Sequence, residues 1–204
     1  MTGSSPTPRR PQTKLLIVLS GPSGVGKTTV ARRLLTENVN LSRVVTCTTR
    51  TPRESERVGV DYHFLNEEEF QRRIEAGDFL EHAMVYGKRY GTLKEDVLRL
   101  LESGEDVLLV NDVQGALAVH ALAETDERLW QALVSVCIVT DTVDELRVRL
   151  ERRGKDTPEV IEERLLVAES EMAHATEFNH VLASGTMEGD WRQVQEIYEQ
   201  ARKK

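Results

Sequence analysis

A chain of 204 residues, 39% apolar and 30% charged, is sized for one domain with insertions around a buried core. Lys and Arg total 27 against 34 Asp and Glu, a net charge of −7, which excludes the basic footprint of a dedicated nucleic-acid binder. No apolar run approaches the ~18 residues of a membrane span, and Cys47 and Cys137 lack zinc or disulfide-framework spacing, so they read as reduced intracellular thiols.

Residues 1–13 carry Pro6, Pro8 and Pro11 and no apolar centre, which predicts a disordered tail and not a secretory signal. The cytoplasm is then the expected location. Leu15 to Ser20 is a short apolar, β-branched run, the pattern of a buried strand, and Lys27 to Thr36 has helical spacing. Between them lies Gly21-Pro22-Ser23-Gly24-Val25-Gly26-Lys27-Thr28, then Thr29. The pattern G-x-x-x-x-G-K-[ST] between a strand and a helix is a phosphate loop. Its glycines let backbone N–H groups close around phosphate oxygens, Lys27 supplies a point charge, and the Thr28 hydroxyl can ligate Mg²⁺.

Arg43 to Thr49 is expected to form another strand. Thr46-Cys-Thr-Thr-Arg50-Thr-Pro-Arg53 then sets two guanidiniums around a proline, a plausible cradle for a phosphate monoester. Cys47 to Leu93 holds three of the four tyrosines (Tyr62, Tyr86, Tyr90) and three of the four phenylalanines (Phe64, Phe70, Phe79). It has no long buried-strand run, so it is expected to be a small inserted lobe whose aromatics face a ligand or a mini-core. Val107 to Val110 is a second buried strand, and Asp112 beyond it stands where an acid can face a ligand or a metal's water shell. Val134 to Thr140 and Val181 to Ala183 complete the strands. Thr142-x-x-Glu145 opens a helix reaching Arg153 and Gly154; Thr157-Pro158 opens the next, with Ile161, Leu165, Ala168 and Met172 on one stripe; Trp191 to Arg202 is a terminal helix. Apolar strands alternating with helices predict an α/β fold with a mainly parallel sheet flanked by helices.

Several ordered motifs carry a resemblance: Thr48-Thr-Arg-Thr-Pro-Arg53, Gly59-Val-Asp-Tyr-His-Phe64, Gly77-Asp-Phe-Leu-Glu81, Tyr90-Gly-Thr92 and Asp112-Val-Gln-Gly115. With the phosphate loop ahead of them, the chain from about Leu15 to Met172 resembles guanylate kinase, of the P-loop nucleoside monophosphate kinases. The resemblance implies a P-loop kinase core over 14–46, 94–142 and 172–204, an NMP-binding lobe over 47–93 and a helical lid over 143–171. It implies phosphorylation of GMP, and of dGMP, to GDP by direct in-line transfer from ATP with Mg²⁺, in purine nucleotide metabolism and GMP recycling. ATP would lie on Gly21 to Thr29 and Arg153. GMP would be held by Arg50, Arg53, Tyr62 and Tyr90 at its phosphate, by Glu81 at the guanine N1–H and 2-amino groups, and by Thr46, Thr92 and Asp112 nearby. Lys27, Arg50, Arg153 and Arg164 would serve catalysis, the last two from the lid. Arg149 and Arg152 are expected in surface salt bridges. Partners are the two nucleotides, with no nucleic acid and no membrane; a homo-oligomer stays open.

Three positions depart from the family pattern. Val110 stands in place of an acid that would contact a Mg²⁺-bound water. Asn111 stands in place of a hydrophobic residue, and Ser184 follows the last strand where an adenine-contacting Asn is usual. Two alternatives remain at this point: a kinase of a phosphorylated sugar, which has no use for Glu81 as a base reader, and a non-catalytic phosphopeptide-binding module, which the intact Gly26-Lys27-Thr28 disfavours.

Overall fold

The computed structural model describes residues 14–54, 56–85, 87–154 and 156–203, without the Val85 side chain. The expected tail and Tyr86 lie outside the described residues. Strand β1 (Leu16–Ser20) feeds the glycine loop, then helix α1 (Lys27–Glu37) and strand β2 (Leu41–Arg43). Strands β3 (Thr46–Thr48) and β4 (Tyr62–Phe64), helix α2 (Glu67–Ala76), and strands β5 (Phe79–Val85) and β6 (Lys88–Leu93) follow. Next come α3 (Lys94–Glu102), β7 (Asp106–Val110), α4 (Val113–Ala123), α5 (Glu127–Ala132) and β8 (Leu133–Val139). The chain closes with α6 (Val143–Arg153), α7 (Pro158–Ala173), a 3-10 turn at Ala175–Glu177, β9 (His180–Ala183) and α8 (Met187–Ala201).

The larger sheet is parallel throughout, in the order β2-β7-β1-β8-β9. Both faces are covered, and alternation along β1 shows how. Leu15, Ile17 and Leu19 pack with α1, α6, α7 and α8, while Leu16 and Val18 pack with α3, α4 and α5. β7 and β8 flank β1 and leave it in opposite directions across the sheet, so the crevice at their carboxyl ends is the natural ligand position.

A second sheet runs β4-β3-β6-β5, with β3 parallel to β4 and the other pairs antiparallel. The expected single strand over Arg43 to Thr49 is therefore two strands in two sheets. β2 joins β7 in the large sheet, and Thr46 opens the small one, whereas the sequence reading left it in the core segment. Cys47, Phe70 and Phe79 form the mini-core of this sheet, with the Phe70 and Phe79 rings stacked at 4.5 Å between centroids. Phe79 lies over Gly91, where an added Cβ would come 2.9 Å from the ring. Tyr62 and Phe64 alternate with His63, and Tyr90 and Thr92 with Gly91, so each pair shares one face of its strand.

The terminal helix starts four residues earlier than its apolar pattern indicates. Thr186 caps it by accepting the Gly189 N–H, and Met187, being exposed, adds nothing to the periodicity. Tyr198 anchors the helix through its hydroxyl to Asp106 Oδ2 at 2.6 Å. Asp106 also accepts from the Leu15 N–H at 3.0 Å and pairs with Arg202 at 3.3 Å. Asp106→Ala would strand the buried Leu15 N–H and Tyr198 hydroxyl and is expected to cost about 3 kcal/mol of stability by chemical denaturation. Because this cluster sits at the opposite end of β7 from the crevice, KM values should stay unchanged.

Candidate active site

The glycine loop takes its form from backbone sterics. Gly21, Gly24 and Gly26 have φ of 134°, 90° and 116°. At Gly21 a Cβ would fall 2.1 Å from the Ile138 carbonyl oxygen, so no side chain fits. Gly26 caps α1, whose first turn carries no acid, leaving the positive potential of its N–H groups unopposed. The Lys27 ammonium folds back on the loop, donating to the Gly21 and Pro22 carbonyls, the latter at 3.1 Å. Burial pushes its pKa down, while Glu171 and Asp112 counter by favouring the cation. Glu171, on α7, is itself only 7% exposed; burial raises its pKa and Lys27 lowers it. Thr28 and Thr29 are exposed at the start of α1.

Arg164 reaches the loop from α7, donating to Ser23 Oγ at 2.8 Å. Asp156 pairs with Arg164 at 3.2 Å and with Arg153 at 2.8 Å, which groups the two arginines beside the loop. Arg149 departs from the expected surface salt bridge. Besides a 3.8 Å approach to Glu145, it donates to Ser184 Oγ at 2.7 Å and to the Val25 carbonyl at 3.1 Å. Ser184 donates on to Asp190 Oδ2 at 2.7 Å. This chain ties the loop to the start of α8 along one wall of a cavity of about 720 Å³, lined also by Thr29, Thr142, Arg152 and Thr186.

On the small sheet, Arg50 is gripped by Glu56 in a two-pronged pair at 2.9 and 2.8 Å. Its guanidinium lies 5.4 Å from the Tyr62 ring centroid and 5.8 Å from that of Phe64. The Tyr62 and Tyr90 rings meet edge-on at 6.1 Å. Glu56 also accepts the Arg53 backbone N–H at 2.8 Å, and these bonds hold its carboxyl down at about 2. The Arg53 side chain is exposed and is not drawn into the Arg50 cluster. Two residues along β6 from Tyr90, about 7 Å away on the same face, Thr92 donates to Glu81 Oε1 at 2.6 Å. Glu81 is 8% exposed. Burial, opposed by the Thr92 hydroxyl and aided by Asp112, pushes its carboxyl up to about 7. Thr46, half-buried, begins β3 one residue before Cys47, which faces Gly91. Asp112 caps α4, accepting the Gly115 N–H at 2.7 Å. Between the loop and the small sheet opens a cleft of about 520 Å³ lined by Lys27, Asp112, Glu171, Arg164, Ala83 and Met84.

The structure thus brings together Lys27, Ser23, Arg164 and Arg153 in one group, Arg50, Tyr62 and Tyr90 in a second, and Glu81, Thr92 and Asp112 in a third. Sequence reasoning missed Glu56, Asp156, Glu171 and the inward role of Arg149. Glu56 and Asp156 had a local signal, an acid six residues from Arg50 and an acid three residues from Arg153. A parallel sheet with a glycine-rich loop at the carboxyl end of its central strand, facing a cationic and carboxylate-bearing lobe, defines a P-loop phosphotransferase.

The family model described as guanylate kinase matches residues 13–201. A guanylate kinase of Alkalilimnicola ehrlichii is 42% identical over 183 residues, covering 90% of this chain and 87% of its own. One from Clostridium perfringens is 40% identical, covering 90% and 82%. The crystal structure of guanylate kinase from Anaplasma phagocytophilum superposes with a TM-score of 0.72 at 29% identity, covering 95% of this chain and 89% of that one. The chain belongs to the guanylate kinase family.

Proposed function

We propose that the small sheet reads GMP and the glycine loop holds ATP, so that the family's reaction, ATP-dependent phosphorylation of GMP to GDP, runs across the cleft between them. The observation that carries this reading is the placement of two opposite chemistries on one face of the small sheet. The Arg50–Tyr62–Tyr90 group offers positive charge and hydroxyls to a phosphate, and the Glu81–Thr92 pair offers acceptors to a base.

Guanine presents two adjacent donors, N1–H and the 2-amino group, which suit a carboxylate; adenine presents no such pair. Glu56 fixes the Arg50 guanidinium before substrate arrives, which lowers the ordering cost of binding. Arg53 would turn inward onto the same phosphate. Lys27 and the α1 terminus would hold the ATP β- and γ-phosphates, and Arg164 and Arg153, released from Asp156, would follow the charge that spreads over the transferring group. The attacking oxygen belongs to a phosphate already ionised near neutral pH, so no general base is needed. The 720 Å³ cavity beside Arg149 would take the donor's base, with Ser184 fixed behind it.

Among the described residues no group of three or more His, Cys, Asp or Glu side chains forms a metal cage. That suits an ion held mainly through substrate phosphates and water, with Thr28 as its one protein ligand. Bound there, Mg²⁺ would neutralise charge on the β- and γ-phosphates. Movement of segment 47–93 and of the 143–171 lid toward the core would exclude water from the transfer. No described helix is long and apolar enough to cross a membrane, and we read the protein as cytoplasmic.

Steady-state turnover with ATP and Mg²⁺ on GMP, dGMP, AMP, UMP and CMP tests the reading. GMP and dGMP should lead by orders of magnitude. A preference for AMP or a pyrimidine nucleotide would overturn it.

A further inference from the structure

Asn111 stands at the end of β7, where the family resemblance leads one to expect a hydrophobic side chain. Its two carboxamide atoms, Nδ2 and Oδ1, are both buried and both lack a hydrogen-bond partner among the described residues. An amide in that state has lost its water without gaining a protein partner, so the position calls for a reason. The surroundings supply one. A Cβ placed on Gly115 would lie 2.9 Å from Glu81 Oε2, 3.0 Å from Asn111 Nδ2 and 3.3 Å from Asp112 Oδ1. The missing methyl leaves a gap on which the base-reading carboxylate and the orphaned amide donor converge. Thr92 already serves Oε1; Oε2 is the oxygen on the Asn111 side.

We propose that Asn111 is a positioning residue for guanine recognition: its Nδ2 donates to Glu81 Oε2 when that carboxylate is ionised, holding it as the anion that accepts from the guanine N1–H and 2-amino groups. Both atoms border the space that Gly115 leaves open, and the bond would form across it. Because both amide atoms are sealed from solvent, Asn111 acts through Glu81 and does not itself touch the base. The inference rests on Glu81 being the base reader.

The need for such a donor follows from the groups around Glu81. Asp112 of α4 repels its charge, and the Cys47 thiol of β3, whose pKa burial pushes up to about 12, is neutral. Beyond that thiol lie Arg73 of α2 and Asp96 of α3, while Asp112 in turn faces Lys27 and Glu171. Among the described residues Thr92 is thus the one hydroxyl opposing the burial that drives the carboxyl up to about 7. A protonated Glu81 would offer guanine a donor where an acceptor is required.

The test compares GMP dissociation constants, by calorimetry on the full chain, for the unsubstituted protein and Asn111→Leu, an isosteric side chain without a donor. Without the donor the carboxyl stays at the value of about 7 that burial gives it, and with it the pKa lies about one unit lower. Removing the donor then weakens GMP binding about fivefold near pH 6 and less than about twofold near pH 8.5. The GMP phosphate titrates alike in both measurements, so the ratio reports the protein. ATP affinity should be equal throughout. Asn111→Ala, which removes the donor without apolar bulk, should give the same pH-dependent ratio and serves should the leucine variant pack poorly. Equal loss at both pH values, or no loss near pH 6, overturns the proposal. Unchanged GMP affinity in Glu81→Gln would instead bring down the base-reader assignment on which it rests.

Discussion

Lys27→Met is expected to lower kcat about a thousandfold, while GMP affinity and the melting temperature stay close to those of the unsubstituted protein. The ammonium has no role in the fold that methionine could not fill by volume. Its hydrogen bonds go to the carbonyls of its own loop, Gly21 and Pro22. Those carbonyls belong to the resting arrangement; once a triphosphate lies along the loop, the ammonium has a stronger acceptor within reach. Burial favours loss of its proton, and Glu171 and Asp112 oppose that loss. The two acids therefore help deliver a charged lysine to a site that would otherwise neutralise it. Removing the cation leaves both carboxylates facing incoming phosphates with their repulsion uncompensated, so the transition state suffers more than the ground state. Pre-steady-state turnover with ATP, alongside calorimetry with GMP, separates the two effects. A variant that loses GMP binding to the same degree as kcat would assign Lys27 a different role.

The parts of this site that were legible in the sequence are those whose chemistry is local. The glycine loop is contiguous, and each element it requires, strand, turn and helix start, is written in Leu15 to Thr36. Over Cys47 to Leu93 the sequence showed an aromatic enrichment and the resemblance named Tyr90 and Thr92; that these two share a face comes from the strand the structure gives them. What escaped was made by distant residues meeting. Arg149 contacts Ser184 and Val25, and Glu171 faces Lys27. Neither pair leaves a mark on its own helix, since a partly buried arginine at helical spacing looks like a solvated one. The break between Arg43 and Thr46 was hidden for another reason. β2 and β3 are three residues each, too short for a change of sheet to appear in hydropathy, and Val44, which links them, is itself buried in the core of the large sheet.

Glu81→Gln should have the other large effect, a fall of about a thousandfold in kcat/KM for GMP, and its signature is a change in which base is accepted. Carboxylate and carboxamide have nearly the same shape, so packing against Thr92 and α4 is preserved. The chemistry is not. A glutamine presents one acceptor and one donor, and the donor points at a guanine N–H, leaving two buried donors opposed. Against adenine the same amide no longer opposes the N1 lone pair, to which it can donate. Activity on AMP should therefore rise from its low level as activity on GMP falls. The pH response separates this from a general loss of function. In the unsubstituted protein the carboxyl is pushed up to about 7, and the anion is the form that binds, so GMP affinity should increase as pH climbs through that value and fade below it. Glutamine does not titrate, so the variant's affinity for GMP should be flat across the same range apart from the titration of the nucleotide phosphate itself. A variant that keeps the rise with pH would place the titrating group elsewhere, and Asp112, the acid coupled to Glu81, would be the next side chain to substitute.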